Sequence, residues 1–164
     1  MDFIIRRIFP HNTNDMKIIR KVGDSLLFLR SEYPDFKDWY NRILKLADRE
    51  IYIATPCDQE DCIAGIMILK NSPMQKKICT LCVMERYRGM KIGTQFIELA
   101  CKRLETQVPL ITVSQGHQPQ FEGLFRKFGF QLFESYPNYY RNNVIEYSYN
   151  AEIEPYAAKM VVNG

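Results

Sequence analysis

Hydrophobic and polar positions along the chain switch between two periods. Phe3-Ile4-Ile5-Arg6-Arg7-Ile8 is a short, β-branched run stopped by Pro10, which predicts a first strand. Helical spacing then takes over at Ile18, Ile19, Val22, Leu26 and Leu29, with Asn14 or Asp15 as cap and Pro34 as the limit. A second helix is predicted over residues 35–48, with Phe36, Tyr40, Ile43, Leu44 and Ala47 on one face and Asp35 near its start. The two helices would present one apolar wall.

Residues 51–54 and 62–69 are apolar runs separated by the turn-rich Pro56-Cys57-Asp58-Gln59-Glu60-Asp61, the pattern of a hairpin, and residues 78–84 continue it after Asn71-Ser72-Pro73. Three adjacent antiparallel strands are expected there. Beyond Gly89 the period changes, and Ile92, Phe96, Leu99, Ala100 and Leu104 mark one amphipathic helix that ends before Pro109. Residues 110–113 read as a buried strand. Residues 118–128 read as a shorter helix with Phe121, Leu124, Phe125 and Phe128 inward and Gly129 as its stop. Residues 130–133 and 144–149 alternate like a terminal hairpin across a Tyr/Asn-rich loop, leaving an open sheet edge near Tyr147 and Tyr149 at which a second copy could pair as a homodimer. Residues 151–164 carry too little pattern to assign.

Composition narrows the class more than the function. At 164 residues, with 46% apolar and 25% charged positions, the chain is expected to form a single domain over residues 1–150 with a substantial core. A net charge of +3 suits an anionic cofactor and falls short of the concentrated basic face that a nucleic-acid binder needs. The five cysteines, Cys57, Cys62, Cys79, Cys82 and Cys101, are odd in number, which excludes a complete disulfide framework and points to a reducing, cytoplasmic compartment. No run approaches the roughly 20 apolar residues of a membrane span. Cys79-Thr80-Leu81-Cys82 has CxxC spacing, but on a regular strand residues three apart face opposite sides, so core packing is preferred and no metal site is expected.

The candidate chemistry lies where a strand turns into a helix, at Arg88-Gly89-Met90-Lys91-Ile92-Gly93-Thr94. A helix start leaves four N–H groups without internal partners and carries about half a positive charge, so a phosphate fits both needs. Gly89 and Gly93 allow close approach of the backbone, while Arg86, Arg88 and Lys91 add positive charge.

Residues 83–94 resemble the acyl-CoA signature of the GNAT-type N-acetyltransferase superfamily, in which a strand ending in valine is followed by Arg/Gln-x-x-Gly-x-Gly/Ala at the start of a long helix. Leu124-Phe125-Arg126-Lys127-Phe128-Gly129-Phe130 resembles the same family's Leu-Tyr-x-x-Leu-Gly-Phe segment. The resemblance, covering residues 3–149, implies an α/β (α+β) fold: a mixed, mostly antiparallel central sheet of six to seven strands flanked by helices, with acyl-CoA at a splayed strand pair. It implies acetyl-CoA as acyl-donor co-substrate and an amine acceptor of unknown identity. Carried over, the backbone of Leu81, Cys82 and Val83 would pair with the pantetheine amides, the Val83 N–H would polarise the thioester carbonyl, and residues 88–94 would hold the pyrophosphate, with Gln118 and Phe125 also lining the cofactor.

Two positions depart from the pattern. Lys91 stands where the family has its first glycine, and Phe125 stands where many members carry a tyrosine thought to protonate the leaving thiolate, which phenylalanine cannot do. Tyr139 and Tyr140 are the nearest substitutes, and Glu85 is a carboxylate just before the turn. A general base is needed to free the amine of its proton, and His117, between a strand end and the next helix and flanked by Ser114 and Gln118, is the candidate. The implied activity is direct acetyl transfer in a ternary complex. Two other readings stay open: an acyl-CoA-binding or regulatory module with this fold but little turnover, and acylation of an RNA-linked amine.

Overall fold

The computed structural model describes residues 1–28 and 35–153. The expected helical positions Leu29 and Pro34, and most of the unassigned tail, lie outside the described residues. Two compact units are present, residues 1–106 and residues 107–164. Among the described residues, seven strands and four α-helices follow the expected order, mostly antiparallel, so the α/β class read from the sequence is the one observed. No helix among the described residues is long and apolar enough to cross a membrane.

In the first unit β1 (Phe3–Ile8), β2 (Arg49–Pro56), β3 (Gly65–Asn71) and β4 (Lys76–Val83) pair antiparallel in sequence order. The β-branched, apolar run of β2 is buried almost throughout, as a strand covered on both faces must be. One face carries Ile51, Ile53, Ile66 and Ile68, packed with Val22, Leu26, Phe36, Tyr40 and Ile43 from α1 (Met16–Ser25) and α2 (Phe36–Ile43). Both helices are shorter than their periodic patterns suggested. Asp15 leads into α1 without capping it; it is buried and instead accepts from Arg6 at 3.0 Å and from the Phe9 N–H at 2.9 Å, while Asn12 caps the preceding 3-10 turn. Gly23 lets α1 meet α2 closely, since a Cβ there would lie 2.9 Å from the Tyr40 ring, whose hydroxyl donates to the Ile19 carbonyl at 2.7 Å.

The opposite face is covered by α3 (Ile92–Leu104). Its last turn is tied down by buried Glu50, which accepts from Tyr52 at 2.7 Å, Asn71 at 2.9 Å and Arg103 at 2.9 Å, with Arg7 at 3.4 Å. Burial alone would push the Glu50 carboxyl up. The donors from Asn71, Tyr52 and Arg103 and the charge of Arg7 outweigh it and hold Glu50 below the usual carboxylate range.

Strand β4 departs from the regular alternation expected of it. Ile68 is opposite Thr80 and Leu69 is opposite Ile78, so a β-bulge inserts Cys79 and reverses the side-chain alternation there. Cys79 and Cys82 therefore both pack against the core under α1 and α2 instead of facing opposite sides. Both remain free thiols, raised by burial, and no cluster of three metal-ligating side chains occurs among the described residues.

In the second unit β5 (Leu110–Ser114), β7 (Ile145–Tyr149) and β6 (Leu132–Pro137) pair antiparallel in the order β5-β7-β6. β7 is thus an inner strand, and the outer one is β6 rather than the expected edge at Tyr147 and Tyr149. α4 (Gln118–Lys127) ends as predicted at Gly129, at φ 68°. The Gly129 N–H bonds the Arg126 carbonyl at 3.1 Å and the Phe130 N–H bonds the Phe125 carbonyl at 2.9 Å, the paired bonds of a Schellman stop. That stop takes up Phe130, which delays the strand assigned to residues 130–133 until Leu132.

Candidate functional site

The segment between β4 and α3 is built almost entirely from backbone. After Val83 the chain makes a 3-10 turn, Glu85–Tyr87, whose Tyr87 is buried against Phe3 at 5.8 Å and touches the Cys62 thiol at 3.1 Å. That contact, with burial second, raises the Tyr87 phenol. Arg88 folds back so that its Nε donates to the Val83 carbonyl at 3.2 Å. Gly89 then takes φ 79° and Lys91 takes φ 66°, and the first α3 bond is from the Gln95 N–H to the Lys91 carbonyl at 3.0 Å. Between these points, the N–H groups of residues 89–94 donate no hydrogen bond among the described residues. Six consecutive donors thus lie without such a partner at and just before the positive end of a 13-residue helix, in a segment that also carries Arg86, Arg88 and Lys91.

Lys91 explains why a glycine is usual at this point. The position needs a left-handed backbone, which costs an L-residue roughly 1–2 kcal/mol, and lysine, which rarely adopts it, is no signal for it in the sequence. The helix start also depends on Gly65. A Cβ there would stand 2.8 Å from Phe96, 3.0 Å from Ile92 and 3.2 Å from the Cys82 carbonyl oxygen, so the first two turns of α3 lie directly on the β3 backbone. A glycine inside a strand pattern was the available signal for such an approach.

Leu81, Cys82 and Val83 lie on β4 opposite Met67, Ile66 and Gly65. Cys82 turns to the α1/α2 core, and burial pushes its thiol up against the opposing charge of Arg88. Their backbone, rather than their side chains, is what they can offer.

The second unit holds the remaining assigned residues. His117 is half-buried in the turn that joins β5 to α4, its N–H on the Ser114 carbonyl at 3.0 Å. Phe125 is fully buried in an aromatic stack with Phe121 at 5.5 Å, Phe130 at 5.6 Å and Tyr149 at 4.6 Å. Gln118 donates to the Tyr149 hydroxyl at 2.9 Å. A phenol therefore stands against Phe125 after all, contributed by β7, which sequence reasoning missed because the pairing is non-local. Tyr139 lies in the β6–β7 turn, away from that stack in the chain. Burial, then Tyr140, Tyr136 and Glu146, push its phenol up to about 12, so it gives up a proton less readily than an ordinary tyrosine.

Residues 29–151 match the acetyltransferase (GNAT) domain family, three quarters of the chain. The chain belongs to the GNAT acetyltransferase family. As a GNAT domain it is an acetyl-CoA-dependent acyltransferase. Among solved structures, a GNAT-family acetyltransferase from Desulfovibrio desulfuricans superposes with a TM-score of 0.65 at 16% identity, covering 92% of this chain and 99% of that one. A streptothricin acetyltransferase from Bacillus anthracis, in complex with acetyl coenzyme A, gives 0.63 at 16% identity, covering 94% and 99%. NAA60 of Arabidopsis thaliana with acetyl-CoA gives 0.65 at 15% identity, covering 90% and 97%. At these identities the likeness establishes the fold and not the acceptor. No protein of curated function matches the chain in sequence.

Proposed function

We propose that this GNAT domain transfers acetyl from acetyl-CoA directly to a primary amine, residues 1–150 acting as one acyltransferase domain. The amine nitrogen attacks the thioester carbonyl carbon, the carbon–sulfur bond breaks, an amide forms, and the thiolate takes up a proton. The observation that carries this reading is the run of six N–H groups at residues 89–94 with no acceptor among the described residues, in the family's acyl-CoA signature. The Val83 N–H is assigned to the thioester oxygen, where one fixed donor is worth about 3 kcal/mol in the transition state. His117 is assigned as general base. For the thiolate, Tyr149 is a better candidate than Tyr139, because its hydroxyl already accepts from Gln118 and can donate onward, whereas burial holds the Tyr139 proton tightly.

Titration calorimetry with acetyl-CoA, followed by thiol release over a panel of primary amines, tests the proposal. Micromolar binding that Gly93→Glu abolishes, with release for at least one amine, supports it. Unchanged affinity in folded Gly93→Glu protein would sink the pyrophosphate assignment. Tight binding with no release across small amines and peptides would favour the second reading, a binding or regulatory module, which the buried Phe125 at the family's tyrosine position supports.

A further inference from the structure

We propose that the rim of the α1/α2 face in the first unit is a phosphate-binding site, where Arg49, Lys70 and Lys77 hold a phosphate monoester. The three cations stand on adjacent strands at directly opposed positions: Arg49 of β2 is the register partner of Lys70 on β3, and Lys70 is the register partner of Lys77 on β4. Opposed residues share a face, and this one continues the rows of Ile51, Ile53, Ile66 and Ile68 that pack under α1 and α2. With strands about 4.8 Å apart, the three positions span roughly 10 Å. Along β4 the row lies roughly 20 Å from Val83, at the opposite end of the strand from the turn of residues 88–94.

Like charges directly across a sheet oppose folding, and this row contains two such pairs. On the other face of the same strands the basic residues have an internal acceptor, since Glu50 accepts from Arg103 at 2.9 Å and lies 3.4 Å from Arg7. The row is less well matched. One carboxylate, Asp48, stands 2.6 Å from the Arg49 Nη1. The Arg49 side chain is 13% exposed, and among the described residues its Nε has no hydrogen-bond partner. Lys70 is half-buried and donates to the neutral Gln75 Oε1 at 3.1 Å. All three charges reach one point: burial raises the Cys79 thiol, Lys77, Arg49 and Lys70 each pull it back, and Asp48 acts in the direction of burial.

Three cations less one carboxylate leave two positive charges, which match the charge of about −2 on a phosphate monoester near neutral pH. Half-burial strengthens that match, because partly buried charges are screened less than exposed ones. Arg49 supplies a planar donor fork, and the lysines supply ammonium groups that rotate to meet an oxygen. The strand register sets their spacing before a ligand arrives.

Free phosphate and the headgroup of phosphatidic acid share this chemistry, and both serve as probes. Inorganic phosphate is exchanged for chloride at constant ionic strength while the backbone amides of residues 49, 70 and 77 are followed by NMR. Saturating shifts should appear there at millimolar phosphate, in the parent and equally in Gly93→Glu, whose change lies at the start of α3. Lys70→Gln removes the middle charge and with it both like-charge pairs. In chloride it should be at least as stable as the parent, and it should bind phosphate about threefold to fivefold more weakly. Flotation with phosphatidic acid vesicles, compared with phosphatidylcholine vesicles, then assigns the source: binding that weakens in Lys70→Gln puts the ester on a membrane, and phosphate shifts without vesicle binding put it in solution. The site is overturned by shifts no larger than in chloride, by shifts confined to residues 89–94 and lost in Gly93→Glu, or by a Lys70→Gln variant that binds phosphate as the parent does or is destabilised in chloride. Neither acetyl-CoA nor an amine enters these measurements, so the acetyl-transfer reading stands or falls separately.

Discussion

Replacing Lys91 offers a test in which strain and charge can be separated. Lys91 sits at φ 66° immediately before α3, a conformation that costs an L-residue roughly 1–2 kcal/mol and glycine almost nothing. Lys91→Gly removes that cost but gives the unfolded chain about 0.5–1 kcal/mol of extra entropy. The net expectation is a gain of about 0.5–1 kcal/mol, which for a chain of this size raises Tm by roughly 1–4 °C. Lys91→Ala loses the same ammonium and keeps the Cβ, so it gains nothing. Both variants retain the backbone N–H donors, and acetyl-CoA affinity should fall about equally in the two, by no more than about threefold, because an exposed ammonium interacts weakly with a screened phosphate. Urea unfolding and calorimetry on the pair give both quantities. If the alanine variant is as stable as the glycine variant, the backbone at residue 91 is not the source of the strain and the explanation of the family's glycine fails.

Gly65→Ala should cost about 1–3 kcal/mol in urea unfolding, since its methyl meets Phe96 at 2.8 Å and the fixed Cys82 carbonyl oxygen at 3.2 Å, and should weaken acetyl-CoA binding by shifting the α3 start; unchanged stability would mean that β3 and α3 are not in close contact. Glu50→Ala, which leaves Arg7, Arg103 and Tyr52 without their shared acceptor, should lose about 3 kcal/mol. Because the Glu50 carboxyl is lowered in the fold, its contribution is present above the unfolded carboxylate pKa and disappears as pH falls through the lower folded value, so the parent and Glu50→Ala stability curves should converge in acid and diverge toward neutrality. Curves that stay parallel over that range would count against the network. Tyr149→Phe should lower turnover with little change in acetyl-CoA affinity, and His117→Ala should do the same near neutral pH; a Tyr149→Phe enzyme with parental turnover returns thiolate protonation to water.

Most elements were legible because period alone separates helix from strand. Ile92, Phe96 and Leu104 fall where the core face of α3 requires them, and the unbroken apolar run of β2 matches a strand buried on both sides. Two of the misreadings lie where one residue breaks a period. The bulge at Cys79 reversed the faces of β4, so the geometric reason for dismissing the Cys79–Cys82 pair was wrong although both thiols do pack in the core. Phe130 looked like a strand residue because it is apolar and follows glycine, yet its N–H is spent closing α4. Neither event leaves a compositional mark.

The turn proposed to hold the pyrophosphate could be picked out for a different reason: the chemistry assigned to it would be carried by backbone N–H groups, which sequence changes such as Lys91 cannot delete. What the sequence left unseen is how the donors are aimed. Two glycine-scale and charge-scale contacts fix α3, whose 13 residues span roughly 18 Å at the standard rise. At its start the helix rests on Gly65, and at its end Arg103 is held by Glu50. Both partners come from strands more than 25 residues earlier in the chain, where no local pattern points to a phosphate. A mutation at Glu50 or Gly65 touches none of the six donors and still acts on all of them, through the one helix that carries them.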